Sequence, residues 1–306
     1  IVGIIDSGID YNHPDLAANI WTNPGEIASN GIDDDGNGYI DDIRGWDFAN
    51  DDNDPMDDNY HGTHVAGTVG AVGNNGVGVT GVSWSVKLMP LKFLNDSGSG
   101  SISDAIAAIE YAVDKGVKVT VNSWGFSGTA SQTLRAAIVN AQTNGMLFVA
   151  AAGNAGSDND ITPSYPSGYN IDNIVSVANT DPFDGLASSS SYGHTSVDIG
   201  APGTAIMSTT PTVRTLFMYI DGKYPSYDFN DGTSMAVPHV AGVAALLLAY
   251  RPSLTYTQIK DLLLDSADPL ASLNGKTVTG GRLNAYKALA AVEPIVSSVT
   301  SSTANG

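Results

Sequence analysis

Short runs of aliphatic and β-branched residues alternate along this chain with amphipathic helical periods. That alternation restricts the fold more than any other feature. Val2–Ile5, Val86–Phe93, Val117–Asn122, Met146–Ala152, Ile174–Ala178 and Val197–Ile199 are each dominated by apolar side chains. A short run with no polar face predicts a strand covered on both sides. Between these runs, Ile102, Ala105, Ile106, Ile109, Ala112 and Val113 share one face of a helix expected over 101–115. Ser101 and Asp104 have capping-box-like spacing at its start, and Gly116 ends it. Residues 134–144 repeat the arrangement and stop at Gly145, and further helices are expected over 233–250, 256–266 and 282–292. Strands alternating with helices predict an α/β fold: a three-layer, doubly wound, mostly parallel sheet with helices on both faces. One domain is expected over residues 1–292, followed by a Ser/Thr-rich C-terminal tail over 293–306.

Composition removes several function classes. The 306 residues include no cysteine, so there is no disulfide framework, thiolate metal site or cysteine nucleophile. Thirteen Lys and Arg against 32 Asp and Glu give a net charge of −19, the wrong sign for a nucleic-acid partner. The longest apolar stretch, Ala241–Ala249, is far short of the ~20 residues a membrane span needs. No basic n-region precedes the apolar start Ile1–Ile5, so no signal peptide is expected in this stretch. The acidic charge is concentrated. Residues 33–58 hold eleven Asp and one basic residue, Arg44, and such density is self-repelling unless cations lie among the carboxylates.

In parallel sheets, functional groups collect where strands end. Asp6 directly follows the first expected strand, His61 opens the run His61-Gly62-Thr63-His64-Val65-Ala66-Gly67, and Asn154 follows Phe148–Gly153. Ser234 starts the long apolar helix. A serine nucleophile needs a base, and the base an orienting carboxylate. An amide donor of the Asn154 type suits an oxyanion, as does a serine at a helix N-terminus. Taken singly, each residue also reads as a cap or turn residue.

Longer strings decide between these readings. Asp6-Ser7-Gly8, the His61–Gly67 run and Gly232-Thr233-Ser234-Met235-Ala236-Val237-Pro238-His239 closely resemble the three signature motifs of the subtilases, the subtilisin-like serine proteases, in the same order. Ala151-Ala152-Gly153-Asn154 looks like the family's oxyanion segment, and the resemblance runs from Ile1 to about Ala291. It implies that Ser234 attacks the peptide carbonyl, His61 relays the proton, Asp6 orients His61, and Asn154 with the Ser234 N–H holds the oxyanion. It also implies that the substrate pairs with Ser123, Trp124 and Gly125, and that Ala151, Ala152 and Gly153 wall the first specificity pocket. Small wall residues imply a preference for a large apolar side chain there. Other signals fail. His61 and His64 lack a HExxH glutamate or a third ligand, and Gly76–Gly81 matches GxGxxG without a following helix.

Calcium is the expected cofactor. Asp33, Asp35 and Asn37 place oxygen donors at positions one, three and five of a calcium-loop pattern, with Gly38 at six, the Tyr39 carbonyl at seven and Asp41 at nine. Arg44 stands at twelve instead of a bidentate Glu, so Asp42 is the expected substitute. An acidic surface loop is the alternative. The resemblance implies two more sites. One is Asp15 and Asn75 with carbonyls of Gly73, Val77 and Val79. The other is Asp47, Asn50 and Asp52 with carbonyls of Asp54 and Met56, in a thermitase-like loop. The expectation is a secreted, monomeric, calcium-dependent serine endopeptidase of broad specificity, acting on proteins or peptides and made with an inhibitory propeptide. A catalytically idle fold serving as a binding module and a processing enzyme with one target are the alternatives.

Overall fold

The computed structural model describes residues 1–292, so the C-terminal stretch 293–306 lies outside the described residues. In chain order the elements are β1 (Val2–Asp6), β2 (Trp46–Asp47), α1 (His61–Gly70), β3 (Leu88–Lys92), α2 (Ile102–Asp114), β4 (Val119–Asn122), β5 (Phe126–Ser127) and α3 (Gln132–Thr143). They continue with β6 (Leu147–Ala151), β7 (Ser164–Tyr165), β8 (Ile174–Thr180), β9 (Ile199–Pro202), β10 (Ile206–Thr210), α4 (Leu216–Ile220) and β11 (Ser226–Asn230). The last are α5 (Thr233–Tyr250), α6 (Tyr256–Asp265), β12 (Asp268–Pro269), β13 (Gly281–Arg282) and α7 (Ala285–Ala290).

Nine strands form the main sheet in the order β12-β13-β9-β8-β6-β4-β1-β3-β2, with every pair parallel except β12–β13. Strands apolar on both faces need cover on both faces, and side chains alternate between two cores to obtain it. Val2 and Ile4 of β1, Val119 and Val121 of β4, and Leu147, Val149 and Ala151 of β6 join the core beneath α1, α5, α6 and α7. Ile5, Phe148 and Ala150 face the other way, into the core beneath α2 and α3.

Helix α5 is long and apolar enough to cross a membrane by length and composition, and 67% of it is buried inside the protein. It packs on β4, β6, β8 and β9 as well as α1, so core burial accounts for its apolarity. Helix α1 is held from its other side by the β10–β11 hairpin, where Ser208 and Thr209 hydroxyls donate to the carbonyls of His64 and Thr63.

Several expected boundaries move, two of them for a visible reason. The strand expected over 197–199 forms at Ile199–Pro202, because its pairing partner is the end of β8. The helix expected from Arg282 begins at Ala285, because Gly281–Arg282 pairs with β9 and β12, and the Asn284 side chain then accepts the Lys287 N–H as a cap. The hairpin and α4 had no counterpart in the sequence pattern. Phe148 has no exposed surface and lies between β6 and the α2/α3 layer. Phe148→Ala in a Ser234→Ala background is expected to cost about 3–5 kcal/mol, read as a lower urea midpoint at unchanged slope.

Candidate active site

Three separate chain segments meet at the carboxyl edge of the sheet. Asp6 ends β1, and its Oδ1 accepts from the Ser7 N–H and lies 2.7 Å from His61 Nδ1. His61 opens α1, whose first turn comes close to the end of β1 because residue 62 is glycine. A Cβ at Gly62 would stand 2.1 Å from the Gly8 carbonyl oxygen. The Asp6 side chain is 1% exposed and that of His61 24%. The buried carboxylate therefore orients an imidazole that reaches the surface.

Burial of His61 works against its charged form. The Asp6 carboxylate, by charge and hydrogen bond, and the nearby charge of Asp57 outweigh it and hold the histidine above its ordinary value. His64, by contrast, is pushed down to about 4 by burial and the adjacent His61. Its Nε2 lies 3.0 Å from the Ile206 carbonyl oxygen and 3.2 Å from that of Asp228, so Nε2 carries the proton. His64 is a packed residue of α1.

Ser234 occupies the first turn of α5. Its hydroxyl donates to the Ser123 carbonyl at 3.0 Å, while the Ser123 hydroxyl donates back to the Ser234 carbonyl at 2.8 Å. This reciprocal pair fastens α5 to the end of β4. In this arrangement the Ser234 proton is directed to Ser123 rather than to His61. Asn154 is oriented by the same turn, since its Oδ1 accepts both the Thr233 N–H at 2.9 Å and the Thr233 hydroxyl at 3.0 Å. Because the backbone N–H can only donate, the side-chain oxygen must face Thr233, which leaves the amide NH2 as the outward donor.

Two clefts flank the segment Ser123–Phe126, which lines both. One, of about 570 Å³, is lined by Ala151, Gly153, Asn154, Ser164, Ser191 and Ser234 among others. Gly153 has φ +107°, a conformation that suits glycine and keeps the wall low. Ala152 does not line it. That side chain is fully buried with Ala178 and Val197, so Ala152 shapes the pocket only through the backbone. The other cleft, of about 680 Å³, is lined by His61, Leu94, Ile102 and Trp124 and also by Phe217 and Asp221.

Several site-building residues had no signal in the sequence. Asp57 is buried beneath His61, accepting from the Ser7 hydroxyl, the Asn59 N–H, and the N–H and hydroxyl of Thr63. Burial pushes its carboxyl up to about 6. It caps α1 from outside the helix, a contact whose partner six residues away follows no capping pattern. Thr233 and α4 were missed likewise.

The acidic loops fold around their own backbone. Asp33 accepts the N–H groups of Gly36, Asn37 and Gly38, and Asp41 those of Asn30 and Gly31. Among the described residues, the acidic side chains of Glu26, Asp35 and Asp42 converge. Asn37 reaches this group through its amide, which donates to Asp42 at 2.7 Å, and Tyr39 lies in the aromatic cluster behind it. Glu26 Oε2 is buried and unpartnered among the described residues, while Lys115 contacts Asp35 and lies 3.6 Å from Asp42. Asp15 is fully buried, with Asn75 at 2.6 Å and the Val79 N–H at 2.9 Å, inside the 73–79 loop that also carries Gly73 and Val77. Asp47 accepts from Ala49 and Asn50 and exchanges backbone hydrogen bonds with Asp52, and Asp54 and Met56 lie further along that loop.

Asp6→Asn removes the charge that holds the His61 pKa up. NMR titration of a Ser234→Ala protein is expected to place His61 above 6.5, and the added Asp6→Asn change to move it down. A His61 titration at or below 6.5, or one indifferent to Asp6, would contradict this electrostatic account.

The subtilase family model matches residues 1–287. Thermitase of Thermoactinomyces vulgaris is 37% identical over 289 residues, covering 94% of this chain and 88% of that protein. Subtilisin-like protease 1 of Plasmodium vivax is 36% identical over 304 residues, covering 94% of this chain. That alignment spans 46% of the Plasmodium protein, so the chain corresponds to about half of its length. A crystal structure of a cold adapted subtilisin-like serine proteinase superposes with a TM-score of 0.68 at 32% identity, covering 92% of this chain and 86% of that one. The family model spans nearly the whole chain and these three likenesses agree with it: the chain belongs to the subtilase family.

Proposed function

We propose that the protein is a calcium-stabilised serine endopeptidase that cleaves proteins by acyl transfer. The observation that supports this best is the 2.7 Å contact between Asp6 and His61 at the start of α1, a helix that packs against α5, which carries Ser234 in its first turn. On this reading Ser234 Oγ turns from the Ser123 carbonyl to His61 Nε2 and attacks the substrate carbonyl carbon. His61 takes the hydroxyl proton and delivers it to the leaving amine, after which a water repeats the sequence on the acyl-enzyme. Asp6 holds Nδ1–H and stabilises the imidazolium. Asn154 Nδ2 and the Ser234 N–H donate to the oxyanion. Because His61 must be neutral to accept a proton, kcat/KM rises with pH through a value above 6.5.

The substrate would lie extended along Ser123, Trp124 and Gly125. The residue donating the scissile carbonyl would enter the pocket walled by Ala151 and Gly153. The volume favours a large side chain, and Phe126 with Trp124 favours an apolar one, while the hydroxyls of Ser164 and Ser191 accept a polar tip. In calcium, a fluorophosphonate probe is expected to label Ser234, and labelling is expected to vanish in His61→Ala. Digestion of an unfolded protein is expected to give many cuts, mostly after large apolar residues. A folded protein that takes no label would sink the peptidase reading. A single cut would support the processing enzyme, and cuts without that preference would remove the pocket assignment.

Calcium is proposed for three loop sites, whose donors are all oxygen, as a hard cation requires. The orphaned Glu26 Oε2 beside Asp35 and Asp42 is the observation that favours a cation in the first of them. Asp15 with Asn75 and the carbonyls of Gly73, Val77 and Val79 would hold a second ion. Asp47, Asn50 and Asp52 with the carbonyls of Asp54 and Met56 would hold a third. Bound calcium supplies positive charge among mutually repelling carboxylates and takes no part in the chemistry. An inhibitory propeptide, a monomeric state and an extracellular or otherwise calcium-rich setting belong to the same proposal. Ions that bind only the folded form stabilise it by about 4 kcal/mol at a thousandfold excess over Kd. EDTA is therefore expected to lower the melting temperature by roughly ten degrees or more. A melting curve indifferent to both EDTA and calcium would exclude the ions.

A further inference from the structure

The segment between β10 and β11 is built onto the residues that precede His61. The Thr215 hydroxyl donates to the Asn59 carbonyl, and the Tyr60 hydroxyl donates to Asp221 Oδ2 at 2.8 Å. Met218 of α4 is fully buried, which anchors the short helix in place. Farther back, the Thr212 N–H and hydroxyl both donate to Asp10 Oδ2. These ties hold Phe217 and Asp221 at the edge of the cleft that His61, Leu94 and Trp124 also line.

Asp221 is exposed, and among the described residues its only side-chain partner is the Tyr60 hydroxyl, which leaves Oδ1 free. The two cations of the same segment are engaged elsewhere. Lys223 Nζ donates to the Phe229 carbonyl at 2.7 Å and lies 6.0 Å from the Tyr60 ring centroid, and the Arg214 guanidinium lies over the Tyr219 ring. Phe217, half-buried beside Asp221, supplies an apolar surface for an alkyl stem.

An extended peptide sends successive side chains to opposite sides. On the proposed reading of the site, the residue donating the scissile carbonyl fills the pocket at Gly153 and Ser164. The residue before it then faces the other cleft, toward His61 and Asp221. We propose that Asp221, with Phe217, makes this second position selective for a basic side chain, the alkyl stem on Phe217 and the charge on the free carboxylate oxygen. Asp221 acts here as a specificity determinant that touches substrate. It rests on the peptidase reading above.

The test uses one peptide sequence carrying lysine or norleucine, which share a stem, at the second residue before the scissile bond. In the wild-type protein kcat/KM is expected to favour lysine by about threefold or more, as befits one exposed ion pair. Asp221→Asn is expected to bring the lysine-to-norleucine ratio close to one. Raising ionic strength from about 0.05 M to about 0.5 M should compress the wild-type ratio toward the same value, a measurement that needs no variant. A ratio of one in the wild type, an Asp221→Asn ratio equal to the wild type's, or a lysine advantage that persists at high salt would each overturn the assignment while leaving the peptidase intact. Failure to cleave either peptide, together with no fluorophosphonate label on Ser234, would overturn both.

Discussion

The approach of the first turn of α1 to the end of β1 is the contact on which the site depends. It is possible because Gly62 has no Cβ to meet the Gly8 carbonyl, and it is held by polar atoms that burial leaves no other partner. Ser7 links the two sides, accepting from the Gly62 N–H and donating to Asp57. Asp57 in turn accepts the free N–H at the start of α1. The Asp6–His61 pair sits on top of this network, so its geometry is set by backbone and by buried side chains rather than by the pair's own attraction. The second half of the site is fixed in the same manner. Ser123 and Ser234 exchange hydrogen bonds across the β4–α5 junction, and Thr233 fixes which atom of Asn154 faces outward.

Electrostatics divides the molecule into two regimes. Around His61, two buried carboxylates act on a half-buried imidazole and raise its proton affinity. In the 33–58 region the carboxylates are many, some exposed and some buried, and several of them, Asp33 and Asp47 included, cap their own loop backbone. Two lysines enter that region from the body of the protein. Lys115 meets Asp35 and Asp42, and the buried Lys92 meets Asp58 at 2.8 Å. Each supplies the cation that such a charge density demands, and each comes from the sheet or from the helix layer beside it. The acidic loops are thereby tied to the core, so ion binding there would be felt by the whole domain.

Much of the core was legible because it follows from period alone. The strand runs were apolar on both faces, which only a sheet covered on both sides can satisfy, and Val2, Ile4 and Ile5 divide between the two cores accordingly. Helix α2 was legible from its stripe and its Ser101 cap, which accepts the Asp104 N–H. Helix α3 was legible from its stripe and the glycine that stops it, while its Ser131 cap on the Leu134 N–H emerged only in the structure. The hairpin β10–β11 and α4 were not legible, because their residues alternate weakly and α4 is only five residues long. Its burial comes from Met218 and from contacts with Asn59 and Tyr60, far away in sequence. The acidic loop was read as a linear ligand pattern. Asp33 and Asp41 were the obvious ligands in that pattern, yet they cap backbone, and Glu26, seven residues upstream of Asp33, took a place beside Asp35 and Asp42.

The sequence by itself determined the layer architecture, the residue types available for acyl transfer and the order in which the chain delivers them. Each of these is encoded in local spacing: a period of two or 3.6, a cap, a glycine beside a functional residue. Only the tertiary structure decided which groups meet. Asp57, Thr233 and Asp221 acquire their partners across 50, 79 and 161 positions of chain, and no local pattern specifies such distant pairs. Burial and hydrogen-bond satisfaction in the assembled fold do, since a buried donor or acceptor left without a partner costs on the order of 1–3 kcal/mol.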